Sequence, residues 1–338
     1  MPSDAGAAPA DLTRFGLAIG HATDEEGATG CTVVRGIDGP VRAAAAIFGR
    51  ATGTREVETL APEHLVDRAD AILLTGGSAY GLDAAAGVMR WMEERGRGFD
   101  VGAGVVPIVP AAVVFDLAPL GRPDARPTPA MAYDACDAAT PTGIAEGSVG
   151  AGTGATVGKA ARAAGAMKGG FGCAVARADE LAVAALAIVN AFGDVRDGAG
   201  RIIAGARDGA GRFVDATQLL QQGGGSSRFR STATPTLRNT TLCVVATDVP
   251  FDRVALQQIA RAAGAALFRR ITPTGTTFDG DVVFAVCPLA PPRGDAIQSM
   301  RVESLAVSAL EAAIERAVRL ARGRDGIPGL ADAEAGVG

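Results

Sequence analysis

Short apolar runs, separated by polar stretches rich in turn residues, recur along the chain and predict strands and helices in alternation. Phe15 to Arg35 reads as two strands flanking the polar turn Asp24-Glu25-Glu26-Gly27. Val41 to Phe48 and Ala71 to Thr75 are further strands, with a short helix, Pro62 to Arg68, between them. Ala79 to Arg95 and Ala130 to Ala139 have helical spacing. The run Val105 to Leu117 contains two prolines, which suits an edge strand or a rigid extended segment. Leu181 to Val189 reads as a buried strand, Arg201 to Ala206 as another, and Thr241 to Ala246 as a β-branched one. Pro250 to Ala266 is a helix opened by proline, Val282 to Cys287 a strand, and Gln298 to Arg322 a long amphipathic helix. Residues 1–11 read as a disordered tail, residues 327–338 as a second tail, and residues 12–338 as a single domain. The class is layered α/β, with strand order left open.

Composition narrows the function. The 338 residues are 48% hydrophobic and carry a net charge of −5, enough chain for a large core. Aromatics are only 4% and glycines number 46, so tight backbone packing is expected. The mild acidity and the lack of a basic stripe argue against a nucleic-acid partner. No stretch of eighteen apolar residues spans a membrane, and Met1 to Leu12 lacks the basic and apolar parts of a leader. A soluble cytoplasmic protein is the expectation. Five scattered cysteines form no CxxC pair, which disfavours structural zinc and points to buried thiols. With only two histidines, His21 and His64, a Ser-His-Asp triad or a histidine metal site is hard to build. A hydrolase here needs a nucleophile that does not depend on histidine.

Such a nucleophile stands at Asn239-Thr240. A Gly/Ser/Thr-rich run from Gly223 to Thr236 reads as an exposed loop and gives way abruptly to the strand that follows. A hydroxyl at this junction can attack the carbonyl before it. Once the peptide breaks, the new α-amine of Thr240 can serve as base for its own hydroxyl. The same text also suits an ordinary loop-to-strand junction. Two glycine-rich stretches add candidates. Gly76-Gly77-Ser78 lies between a strand and a helix, the setting of an anion site or of a tight turn. Ser78 is not a nucleophile elbow, because Tyr80 replaces the second glycine. Gly147 to Gly172 is not a P-loop: Thr153 stands where its first glycine belongs and Ala160 follows Lys159. It reads instead as closely approaching backbone around a site, leading to Lys168, which is either a turn lysine or a charge near the nucleophile. Asn190 ends a buried strand and either caps the turn or donates to an oxyanion. Asp279 and Asp281 bracket a glycine, as a tight turn or as a carboxylate pair facing Thr240.

Five separated stretches resemble the P1 peptidase family, which comprises D-aminopeptidase/D-esterases, β-aminopeptidases and nylon-oligomer hydrolases. They are GHATDEEGATGCTVV, TGGSAYGLDAAAGVM, VPIVPAAVVFDL, EGSVGAGTGATVGK with MKGG, and NTTLCVVATD with the later FDGD. The resemblance implies a four-layer α/β/β/α sandwich of the N-terminal-nucleophile type. It implies a single self-cleavage between Asn239 and Thr240 into chains 1–239 and 240–338, which stay together in a homotetramer. It assigns Thr240, Asn190, Lys168, Asp279 and Asp281 to catalysis, with Lys159 competing for the lysine's place. Tyr133, Gly77 and Ser78 are implied around the substrate, and no cofactor or metal. Asn-Thr and the two aspartates are similar to the nylon-oligomer branch. The function implied is amide hydrolysis, as an aminopeptidase on short peptides or amino-acid amides, or as an endo-acting oligoamide hydrolase. A rival of another class is an uncleaved ligand-binding protein of the same fold.

Overall fold

A computed structural model of the chain describes residues 10–222 and 239–334. The loop read at Gly223 to Thr236 therefore lies outside the described residues, as do residues 1–9 and 335–338 of the two tails. Labels below count only the elements of the main layers. The first sheet holds β1 (Leu17–Asp24), β2 (Thr29–Gly36), β4 (Thr54–Arg55), β5 (Ala71–Thr75) and β6 (Ala111–Val113), in the order β1-β2-β5-β6-β4. The second holds β3 (Val41–Gly49), β7 (Gly170–Ala178), β8 (Leu181–Asn190), β9 (Thr240–Thr247) and β10 (Gly280–Pro288), in the order β7-β8-β9-β10-β3. Pairing is antiparallel except for β5 with β6 and β9 with β10.

Alternation along β8 shows how the layers form. Ala182, Ala184, Leu186 and Ile188 face β1, β2 and β5 through Ile19, Val34, Ile72 and Leu74. Val183, Ala185, Ala187 and Val189 join a separate core with helices α3 (Arg253–Ala263) and α4 (Ala296–Arg319). All ten residues of β8 are buried, which is why the strand reads as an unbroken apolar run. The outer face of the first sheet, with Val33 and Leu73, packs on α1 (Ala85–Glu93) and α2 (Pro129–Asp137) through Val88, Trp91 and Ala132. Helix, sheet, sheet and helix make a four-layer α/β/β/α sandwich.

Several local expectations change. Pro62 to Arg68 is not helical; a 3-10 turn forms earlier, at Val57–Leu60. So short a segment needs a face to bury, and its Leu65 is 91% exposed. β6 lies inside its sheet rather than at the edge, with Pro107 and Pro110 spent just before it. Asp279-Gly280-Asp281 is no hairpin turn, since Gly280 and Asp281 already belong to β10. Ala10, read as tail, is buried in the core between the sheets. Ile327 is buried too, and the Pro328 carbonyl accepts the Lys168 N–H at 2.9 Å. That second tail segment is held by backbone bonds, which hydropathy does not register.

Candidate active site

One end of both sheets converges on the peptide between Asn239 and Thr240. β9 starts at Thr240, whose register partner is Asn190, the last residue of β8. On the other side Asn239 bridges Asp279 in parallel, bringing the start of β10 alongside. The Asn239 carbonyl oxygen accepts two bonds, from the Gly280 N–H at 2.9 Å and from Thr240 Oγ1 at 2.7 Å. A Cβ at position 280 would stand 2.6 Å from the Ala51 carbonyl oxygen and 3.0 Å from Thr240 Oγ1, so glycine is what permits this approach. Thr240 is 5% exposed and Asn239 2%. Neither polar atom of the Asn239 amide has a hydrogen-bond partner.

The carboxylates divide the work of holding this junction. Asp281 Oδ1 accepts the Thr241 N–H at 2.6 Å, while its Oδ2 accepts from Thr274 Oγ1 and the Gly275 N–H. Both oxygens are thus engaged by its own chain. Burial, with repulsion from Asp279, pushes the Asp281 carboxyl up to about 7. Asp279 Oδ2 accepts the Thr276 N–H at 2.7 Å, and burial raises this carboxyl too.

The two lysines differ. Lys168 is 1% exposed and directs its ammonium at three backbone carbonyls, those of Gly152, Ala155 and Gly169, at 2.9–3.1 Å. All its donors are therefore satisfied by main chain. Lys159 instead donates to Asn190, at 2.6 Å to Oδ1 and 3.0 Å to the carbonyl oxygen. Lys159 is half-buried, and desolvation pulls its ammonium down to about 7, against the opposing attraction of Asp279 and Asp116. Lys168 is also brought to about 7, by burial and then by Arg324. The structure thus brings Lys159, Asn190, Thr240, Asp279 and Asp281 together, and it anchors Lys168 in the adjoining backbone.

Asn190 is fully buried, and its amide is committed at both ends. Oδ1 also accepts the Thr156 N–H, and Nδ2 donates to the Phe115 carbonyl at 3.0 Å, tying one sheet to the other. Next to Phe115 stands Asp116, which the sequence reading passed over. Its signal was an acidic residue ending an apolar run, a placement that costs stability unless the carboxylate is bonded. It is bonded, to the Gly77 N–H at 2.7 Å and to Thr29 Oγ1 at 2.6 Å. The Gly76-Gly77 turn is therefore both a tight turn, with Gly77 at φ +79°, and an anion site, filled by the protein's own carboxylate. Ser78 starts a 3-10 helix, its N–H given to Val114. Tyr133 lies on the outer helix α2, its hydroxyl donating to Glu94 and its ring under Arg90. Those contacts are with the helical layer and not with the residues around Thr240.

His21 is half-buried, with Nδ1 2.9 Å from Thr32 Oγ1, and desolvation of its ring lowers its pKa to about 4. The five cysteines are buried free thiols. Among the described residues no group of three or more His, Cys, Asp and Glu side chains is gathered to hold a metal ion, and no helix is long and apolar enough to cross a membrane.

Residues 14–329 match the model of Peptidase family S58. The chain belongs to peptidase family S58. It is a hydrolase of peptide or amide bonds. An uncharacterized aminopeptidase of Mycobacterium tuberculosis (strain ATCC 25618 / H37Rv) is 43% identical over 293 residues, 85% of this chain and 82% of the relative. A 6-aminohexanoate-oligomer endohydrolase of Agromyces sp. (strain KY5R) is 30% identical over 292 residues, 82% of this chain and 75% of its own. Among solved structures, a Burkholderia sp. β-aminopeptidase has a TM-score of 0.67 at 20% identity, covering 100% of this chain and 99% of its own. The L-aminopeptidase D-Ala-esterase/amidase of Ochrobactrum anthropi, described as a variant of the Ntn hydrolase fold, has a TM-score of 0.68 at 20% identity, covering 94% and 88%. The sandwich of this family S58 member is accordingly of the N-terminal-nucleophile type.

Proposed function

We propose that the chain cuts itself between Asn239 and Thr240 and then works as an aminopeptidase on short peptides or amino-acid amides. The observation that carries this is the Asn239 carbonyl held by the Gly280 N–H while Thr240 Oγ1 rests 2.7 Å from its oxygen. Gly280 supplies the donor for the oxyanion that forms when Oγ1 attacks the Asn239 carbon, and one such donor is worth about 3 kcal/mol. Scission also frees the buried, unpartnered Asn239 amide to hydrate, relieving a penalty of about 1–3 kcal/mol. Asp279, its carboxyl raised by burial, is the candidate base for this first step. It takes the Oγ1 proton and returns it to the Thr240 nitrogen as the Asn239–Thr240 C–N bond breaks. Water then hydrolyses the resulting ester to free Thr240 and leave a carboxylate on Asn239.

In turnover the Thr240 amine, with an ordinary pKa of about 8, takes the Oγ1 proton as Oγ1 bonds to the substrate carbonyl carbon. The proton passes to the leaving amine as the C–N bond breaks, and water then hydrolyses the ester. Asn190, opposite Thr240, is positioned by Lys159, and the positive charge of that lysine favours the neutral amine. Of the two aspartates, Asp281 has both oxygens occupied, so Asp279 is the one to receive a substrate ammonium. The aminopeptidase relative supports exo-action. The endohydrolase relative, with the saturation of Asp281, supports a second reading as an endo-acting oligoamide hydrolase. We further propose that the cleaved chains 1–239 and 240–338 form a cytoplasmic homotetramer.

The test is intact mass followed by turnover of amino-acid p-nitroanilides, β-peptides and aminohexanoate oligomers. Wild type gives fragments ending at Asn239 and starting at Thr240, whereas Thr240→Ala gives one uncut chain with no turnover. A cut and active Thr240→Ala protein would overturn the proposal.

A further inference from the structure

Asp116 belongs to none of the candidate catalytic residues, yet both glycine-rich stretches of the sequence close around it. A Cβ at Gly76 would stand 2.1 Å from its Oδ2, and a Cβ at Gly154 would stand 2.7 Å from its own Cβ. The carboxylate is 1% exposed and sits where the ends of β2, β5 and β6 meet. Its two oxygens fasten Gly77 and Thr29, and the carbonyl of the preceding residue, Phe115, receives the Asn190 amide. Asn190 in turn carries Lys159. An unbroken path of hydrogen bonds and one peptide unit therefore runs from Asp116 to Lys159 on Asn190, the register partner of Thr240.

We propose that Asp116 is a positioning residue for amide hydrolysis: it clamps the Gly76-Gly77 turn to Thr29, sets Asn190 through Phe115, and adds to the negative charge of Asp279 that balances Lys159. This rests on the proposed action of Thr240. The charged groups that act on Lys159 are Asp279, Asp116, Lys168 and Asp281, and Lys168 also acts on Asp116. Burial holds the Asp116 carboxyl at about 6, so near neutral pH it is charged and favours a charged Lys159.

The experiment uses full-length wild type, Asp116→Asn and Thr29→Val, with the p-nitroanilide that wild type turns over fastest as probe. Self-cleavage, urea midpoint, kcat, KM and the pH profile of kcat are recorded. Asp116→Asn keeps the shape but cannot accept both bonds, and it removes the charge. Its kcat is expected to fall at least ~10-fold with KM within ~2-fold, and the near-neutral ionisation in its profile to move to lower pH. Thr29→Val keeps the charge and loses one bond, so kcat falls less and that ionisation does not move to lower pH. Wild-type kcat and an unmoved profile in Asp116→Asn overturn the proposal. If that variant does not fold, an unchanged kcat in Thr29→Val does so instead. A wild-type chain that stays whole and hydrolyses nothing refutes the underlying reaction, and this is visible before any variant is compared.

Discussion

Lys159 and Lys168 are the same residue type in one glycine-rich stretch, and their partners separate them. Lys168 saturates three carbonyls, so Lys168→Met leaves three buried acceptors short and costs about 1–3 kcal/mol for each left unsatisfied. Lys159→Met removes the charge on Asn190 while leaving the backbone cage intact. The expected contrast is a large drop in urea midpoint for Lys168→Met, against a folded Lys159→Met with kcat reduced at least ~10-fold. The Lys159 ammonium also has a pH signature. Its folded pKa is depressed from 10.5 to about 7, so its stabilising contribution is present above 10.5 and lost as pH falls to about 7. The urea midpoint of Lys159→Met should therefore gain on wild type between pH 10 and pH 7, and hold level below that. A difference independent of pH would show that this ammonium is not desolvated.

At the scale of elements, the site depends on strands reaching one end of the sandwich in register. β7 and α4 hold the sheet against its helical layer by very close packing. A Cβ on Gly172 of β7 would stand 2.2 Å from the Ala313 carbonyl oxygen of α4, and one on Gly170 would stand 2.5 Å from that of Ala317. These are backbone atoms of a long helix, which cannot move aside as a flexible side chain could. Gly172→Ala is expected to destabilise the fold by about 1–3 kcal/mol, read as a lower urea midpoint, with kcat per folded molecule little changed. The helix Gln298 to Arg322 was legible from its spacing, and α4 runs Ala296–Arg319. The helix read at Pro62 to Arg68 had no face to bury, and spacing alone did not reveal this.

At the scale of the molecule, the proposed cut falls where the chain can break without losing its architecture. β9 and β10 lie inside the second sheet, between β8 and β3, which both come from the segment before the cut. α3 and α4 cover that sheet from the segment after it. Each fragment therefore buries its apolar strands against the other. The fragments should co-elute on size exclusion under native conditions and separate only in denaturant, and native separation would contradict this packing.

The apolar runs determined by themselves most strands and the long helices, because burial on one or two faces imposes a period on the residues that form them. The buried thiols were legible from their apolar neighbours. Asn239-Thr240, Asn190, Asp279 and Asp281 each had an ordinary structural reading as well, and it was the family resemblance that gathered them into one candidate site. Only the tertiary structure decided that Lys159 rather than Lys168 holds Asn190, that Asp116 occupies the Gly77 turn, and that Tyr133 lies in the helical layer. Those outcomes depend on which strand ends meet, and on hydrogen bonds between residues far apart in the chain, for which a linear pattern of polar and apolar positions carries no record.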